Sequence, residues 1–202
     1  MDIKKNRAVF LDRDGTINIE KDYLIETADF EFIPCVPEAL KQLQQAGFLL
    51  VVVTNQSGIA RGYFNQQQVE NLHHHLGILL ESYGVDLAGI YYCPHHPTVG
   101  LGEYLCDCQC RKGKPGMLLK AAKELNIDLS KSFMIGDKYA DIQAGCAAGC
   151  ETYLVKTGHG QSNISAVANF HPTIVADLPA AAAEIVTNMY EHVRELNEEE
   201  RI

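Results

Sequence analysis

The sequence predicts an α/β fold: a Rossmann-like, mainly parallel sheet with helices on both faces and no large cap domain. Three observations carry this. Short runs rich in β-branched and aromatic residues recur along the chain. They are apolar nearly throughout rather than alternating, as strands covered on both faces are. Stretches of helical period separate them, and strand–helix alternation builds parallel sheets.

Taken in order, RAVFLD (7–12) is the first strand. PEALKQLQQAG (37–47) follows as a helix, with Ala39, Leu40 and Leu43 on one side and Gly47 as its stop. FLLVVVTN (48–55) is the second strand, NQQQVENLHHHLGILLESYG (65–84) the second helix, and AGIYYCP (88–94) the third strand. In the helix PGMLLKAAKELN (115–126), Pro115 sits near the first turn and Leu118, Ala121, Ala122 and Leu125 share a face. SFMIGD (132–137), YADIQAGCAAG (139–149) and TYLVKT (152–157) continue the alternation, and TIVADL (173–178) reads as a further short strand. The acidic tail ELNEEERI (195–202) is expected as a fraying helix end. Only residues 94–114, rich in His, Cys, Gly and Pro, break the pattern.

At 202 residues, 47% hydrophobic and 21% charged, the chain is expected to form one domain, residues 1–202. A net charge of −9 argues against an extended nucleic-acid face but leaves room for a small anion held by a few converging cations. The start, MDIKKNRAVFLDRDG, lacks a secretory apolar core, and the run Phe48 to Val53 is too short to span a bilayer. A cytoplasmic monomer is expected. In that reducing setting seven cysteines point to metal rather than to disulfides.

The strand ends carry the chemistry. In DRDGT, Asp12 and Asp14 stand two apart at the end of a buried strand, so both project to one side. Ligands of open parallel sheets bind beyond the carboxyl ends of the strands. There the sequence also places Thr54 with Asn55, Cys93, and Asp137 of GDKYAD. Asp137 can join the earlier carboxylates around one hard cation, for which oxygen ligation suits Mg²⁺.

DRDGT, VVVTNQS, RK and GDKYAD, in that order, resemble the four motifs of the haloacid-dehalogenase superfamily of aspartate-nucleophile phosphatases. The resemblance implies a Mg²⁺-dependent phosphomonoesterase that works through an aspartyl-phosphate. Asp12 is its nucleophile and Asp14 its general acid and base. Thr54 and Lys112 meet the phosphoryl oxygens. Asp12, Asp14 (through its carbonyl oxygen) and Asp137 contact the metal. The resemblance also sets Arg13, Glu20, Lys21, Asp22, Tyr23, Asn55, Gln56, Ser57, Arg111 and Lys138 at the substrate. A carboxylate is ionised at neutral pH and needs no base to attack phosphorus. Lys112 balances the charge that develops there. Asp141 is expected either to support these groups from behind or to lie in solvent.

In CPHHP and CDCQCRK, Cys93-Pro-His95 and Cys108-Gln-Cys110 form two chelating pairs separated by twelve residues. Three thiolates and an imidazole close a tetrahedral shell, the signature of a structural zinc. Chemistry alone admits Cys106 with Cys108 as well as Cys108 with Cys110, and His96 as well as His95. The loop is similar to that of the heptose-bisphosphate and histidinol-phosphate phosphatases, where C-x-C runs into Arg-Lys. That likeness selects Cys93, His95, Cys108 and Cys110. A rigid knot there aims Arg111 and Lys112 at phosphate. Gly113 departs from the group, which has proline after the lysine, and a looser loop is expected. The same likeness implies removal of the C7 phosphate from a heptose bisphosphate, on the route to activated heptose for lipopolysaccharide or surface glycans. Histidinol phosphate is the rival substrate, and a non-catalytic zinc-stabilised interaction module the rival class. A polynucleotide 3′-phosphatase is disfavoured by the net acidity.

Other residues read as ordinary. Cys35, Cys146 and Cys150 are expected as small buried groups. His73, His74 and His75 are consecutive on a helix, so they diverge and do not bind one metal. Arg61 is open between surface and substrate.

Overall fold

A computed structural model describes residues 5–199, with side chains of the last helix as far as Glu191. The elements are β1 Arg7–Leu11, α1 Val36–Gln45, β2 Phe48–Asn55, α2 Gln66–Glu81, β3 Gly89–Cys93, α3 Gly116–Glu124, β4 Phe133–Gly136, α4 Tyr139–Ala148, β5 Glu151–Val155, α5 Gly160–Asn163, β6 Thr173–Val175 and α6 Leu178–Glu199. All six expected strands and four expected helices appear. Helices α5 and α6 are additional, and the whole of the 195–202 tail lies beyond the described side chains.

The sheet is parallel throughout, in the order β3-β2-β1-β4-β5-β6. Strand period sorts its side chains onto two faces. Val9 and Leu11 of β1, with Leu50 and Val52 of β2, enter a core closed by Leu40 and Leu43 of α1, Leu76 and Leu80 of α2, and Ala181 and Ile185 of α6. Ala8, Phe10, Val51 and Val53 enter the opposite core against Leu118 and Ala121 of α3 and Ala144 of α4. Apolar cover on both faces explains why the strands show no polar alternation.

Strand order reverses at β1, which pairs with β2 on one side and β4 on the other. A crevice at such a switch point lies beyond the strand carboxyl ends. Asp12 follows β1 directly and Asp137 follows β4 directly, so the topology brings two carboxylates to the crevice. One expectation fails. Cys35 is exposed at the head of α1, with φ 63°, and Cys146 is half-buried, so of the three cysteines expected to be buried only Cys150 is.

Candidate active site

Asp12 and Asp137 are buried beside each other, and a third carboxylate, Asp141, joins them. One oxygen from each lies within 4.8 Å of the others. Asp141 stands in the first turn of α4, and its Oδ2 accepts from Lys138 N at 2.9 Å. That bond turns the side chain back toward the strand end, so the exposed alternative for Asp141 fails. Lys112 Nζ lies 2.5 Å from Asp12 Oδ1 and 2.7 Å from Asp141 Oδ1. Its burial disfavours the charge, but the two carboxylates outweigh this and hold the ammonium above its ordinary pKa.

The loops around Asp12 are drawn tight. Asp12 Oδ1 accepts from Arg13 N at 2.7 Å. Gly15 has φ +83°, and a side chain there would overlap Asp137. Two residues outside the expected set hold this corner. Thr157 Oγ1 donates to Gly15 O at 2.6 Å, and His159 N donates to Asp137 Oδ2 at 2.7 Å. Both follow β5, and only its position among the strand ends could have marked them.

Asp14 is held apart from the carboxylate cluster. Arg13 Nη2 donates to both Asp14 oxygens, at 3.0 and 2.8 Å, while Asn18 and Gln56 donate to them at 3.0 and 3.1 Å. Burial raises its pKa, but Arg13 and these hydrogen bonds prevail and hold the carboxyl below its ordinary value. Arg13 was expected at the substrate. Instead it is fully buried, and its Nη1 lies 3.1 Å from Nε2 of His73 on α2. Burial and the guanidinium depress His73 to about 3, so the ring is neutral and accepts.

Other expected substrate residues divide. Asn55 Oδ1 accepts from Lys112 N at 2.9 Å, and Gln56 Nε2 donates to Thr54 Oγ1 at 2.9 Å, so both position neighbouring groups. Ser57 O accepts from Arg61 N in the turn after β2. Glu20 accepts from Lys138 Nζ at 2.7 Å and lies 3.5 Å from His159 Nε2, bringing its loop to the crevice. Asp22 shares that cluster, and Tyr23 stacks edge-on against Tyr63 at 4.8 Å. Lys21 turns away to Asp29 O and Glu31.

The carboxylate cluster fits a hard divalent cation. Asp137 Oδ1 is buried with no hydrogen-bond partner. Burial, and then the charge of Asp12, push Asp137 up to about 8 and Asp141 up to about 6. In metal-free protein this has a measurable sign. The unfolded chain loses the Asp137 proton near 3.8, whereas the folded chain keeps it to about 8, so stability is lost as pH rises across that interval. His73 acts oppositely, but only below about 6.5. Metal-free protein should therefore be less stable at pH 8 than at pH 6.5 by up to about 2 kcal/mol. Mg²⁺ should raise the melting temperature more at pH 8. A metal-free melting temperature that climbs with pH would contradict this ordering.

The second cluster joins Cys93 at the end of β3 to His95, Cys108 and Cys110, again within 4.8 Å. Their sulfurs are 3.1 to 3.4 Å apart, and His95 Nδ1 lies 3.4 Å from Cys110 Sγ. Burial pushes the Cys110 thiol up to about 11, so sulfurs packed this closely would become thiolates at neutral pH only with a cation among them. Cys106 stands outside the cluster, and His96 faces Arg61 instead. Gly113, with φ +95°, donates to Ala140 O at 2.9 Å. Proline can adopt neither that φ nor that bond, so glycine ties down the chain after Lys112 rather than loosening it.

A family model described as HAD-hydrolase-like matches residues 109–181. D-glycero-beta-D-manno-heptose-1,7-bisphosphate 7-phosphatase of Pasteurella multocida is 55% identical over 175 residues, 86% of this chain and 95% of that one. The Escherichia coli K12 protein of the same name is 49% identical over 176 residues, 86% and 92% of the two chains. The crystal structure of D,D-heptose 1,7-bisphosphate phosphatase from B. bronchiseptica, complexed with magnesium and phosphate, superposes with TM-score 0.79 at 32% identity, covering 90% of this chain and 99% of that one. Within the described residues, no helix is long and apolar enough to cross a membrane. With the fold, the strand-end carboxylates and relatives this similar along nearly their whole length, the chain belongs to the D-glycero-beta-D-manno-heptose-1,7-bisphosphate 7-phosphatase family of HAD-like hydrolases.

Proposed function

We propose that the protein removes the C7 phosphate of D-glycero-β-D-manno-heptose 1,7-bisphosphate in a Mg²⁺-dependent reaction. The observation that carries this is the meeting of Asp12, Asp137, Asp141 and Lys112 at the carboxyl end of the central strand, in a chain 55% identical to a phosphatase of that name. Asp12, Asp137 and the Asp14 backbone carbonyl would hold the Mg²⁺, which when bound offsets the negative charge of carboxylates and phosphate. Cys93, His95, Cys108 and Cys110 would hold a structural zinc.

Asp12 Oδ1 is engaged by Arg13 N and Lys112, which leaves Oδ2 as the attacking atom. Its lone pair forms the new O–P bond while the P–O bond to C7 breaks. The departing alkoxide takes a proton from Asp14. Water then attacks phosphorus, Asp14 takes up a proton from it, and Asp12 and inorganic phosphate are released. The Arg13 clamp favours the ionised Asp14 that the second half uses. Donation in the first half requires Asp14 to leave that clamp carrying a proton. Thr54 Oγ and Lys112 Nζ receive the phosphoryl oxygens, and Glu20 with Lys138 lines the sugar side.

Phosphate release from heptose 1,7-bisphosphate, histidinol phosphate and simple hexose phosphates, with and without added Mg²⁺, tests this. The heptose bisphosphate should lead by at least about tenfold in kcat/KM, and only with Mg²⁺. Preference for histidinol phosphate would overturn the substrate.

A further inference from the structure

We infer that the turn between β5 and α5, Thr157-Gly158-His159, braces the two loops that would carry the Mg²⁺ ligands, and that Thr157 is its positioning residue. This rests on the Mg²⁺ reading above and deepens it. The ligand loops follow β1 and β4, and β5 is the next strand of the sheet beyond β4. Its carboxyl end therefore opens beside them. From there the turn bonds to both loops, one through a side chain and one through the main chain.

On the β1 side the turn grips Gly15, whose amide shares a peptide plane with the Asp14 carbonyl. Gly15 N donates to Asn18 O at 2.8 Å, and in a planar trans peptide the Asp14 carbonyl must then point the opposite way. Gly15 O accepts from Thr157 Oγ1 at 2.6 Å. Gly15 is thus held at one end by its own loop and at the other by a residue 142 positions away. The hydroxyl had nearer options, because a threonine in a turn commonly bonds local backbone. Here Gly160 N donates to Thr157 O at 2.9 Å, so the main chain closes the turn and the side chain reaches across.

On the β4 side the turn fixes Asp137. His159 N donates to Asp137 Oδ2 at 2.7 Å, whereas Oδ1 is buried with no hydrogen-bond partner. One oxygen is tied and the other is left for a cation. Gly158 has φ +53°, and a side chain there would overlap both Asp137 Oδ2 and the Gly15 backbone, so the turn lies directly against the two loops. The turn is itself braced. Asn163 Nδ2 donates to His159 O at 3.0 Å, while Asn163 Oδ1 accepts at 3.0 Å from the N–H of Tyr139, two residues beyond Asp137. Lys156 N donates to Val175 O of β6 at 3.1 Å. Bonds of this outer kind set how ligand oxygens face a metal, and losing one typically costs tenfold or more in affinity.

The experiment follows the melting temperature of the intact chain against Mg²⁺ concentration, which reports affinity for the metal alone. Thr157→Val keeps the shape and removes the donor, whereas Thr157→Ser keeps the donor. The valine variant should bind Mg²⁺ at least about fivefold more weakly than unaltered protein, and the serine variant should recover most of the difference. Gly158→Ala, which drives a methyl group against Asp137, should weaken Mg²⁺ at least as much and decides the matter if the valine variant folds poorly. A smaller loss in valine, or a serine variant as weak as valine, overturns the inference alone. Unaltered protein whose melting does not respond to Mg²⁺ overturns the Mg²⁺ reading, and this inference with it.

Discussion

Asp12→Asn is expected to abolish turnover, by at least about four orders of magnitude, while the protein folds and binds zinc as the unaltered protein does. An amide of the same shape can still accept from Arg13 N through its oxygen. It cannot offer the anionic oxygen that attacks phosphorus. Stability should hold because the change also removes one of three mutually repelling carboxylates, and Lys112 retains Asp141 at 2.7 Å. The measurement is single-turnover phosphate release beside a thermal melt. Turnover near the unaltered rate in this variant would remove Asp12 from its role and end the covalent mechanism.

Cys108→Ser should have the second largest effect. Cys108 Sγ lies 3.4 Å from Cys93 Sγ and 3.1 Å from Cys110 Sγ, within the thiol set. Residues 94–115 contribute few fully buried apolar side chains, so the proposed zinc ligation would supply much of the loop's order. Structural zinc is worth on the order of 10 kcal/mol in small sites. The variant should lose zinc, melt earlier, and drop about tenfold or more in kcat/KM, because Arg111 and Lys112 follow Cys110 directly. Metal analysis and kinetics on the same preparation decide it. A zinc-free variant of undiminished activity would show that the knot does not position the cations.

Much of this molecule is legible in its sequence, for identifiable reasons. The buried strands announce themselves because both faces are covered, and the carboxylates at their ends need no further information to converge. Helix α6 is less legible. Leu178, Ala181, Ala182 and Ile185 do fall at helical spacing and are buried, yet alanine offers little hydrophobic contrast. The surroundings of Asp14 are legible least. Arg13 sits beside it in sequence, but whether that side chain faces substrate or core depends on His73, sixty residues away on a helix packed by other contacts. Asp141 illustrates the same limit. In sequence it is one more polar residue in a helix, and the contacts with Lys138 N and Lys112 Nζ are what hold it inward.

The placement of β1 has a consequence for biosynthesis. Its inner partner is β4, pairing Val9 with Phe133, so the strand made first is enclosed only after more than a hundred further residues emerge. At ribosomal speeds of about 5–20 residues per second, one edge of that apolar ribbon stays open for roughly 6–25 s. Pairing across so long a separation should make refolding slow for a chain of this size.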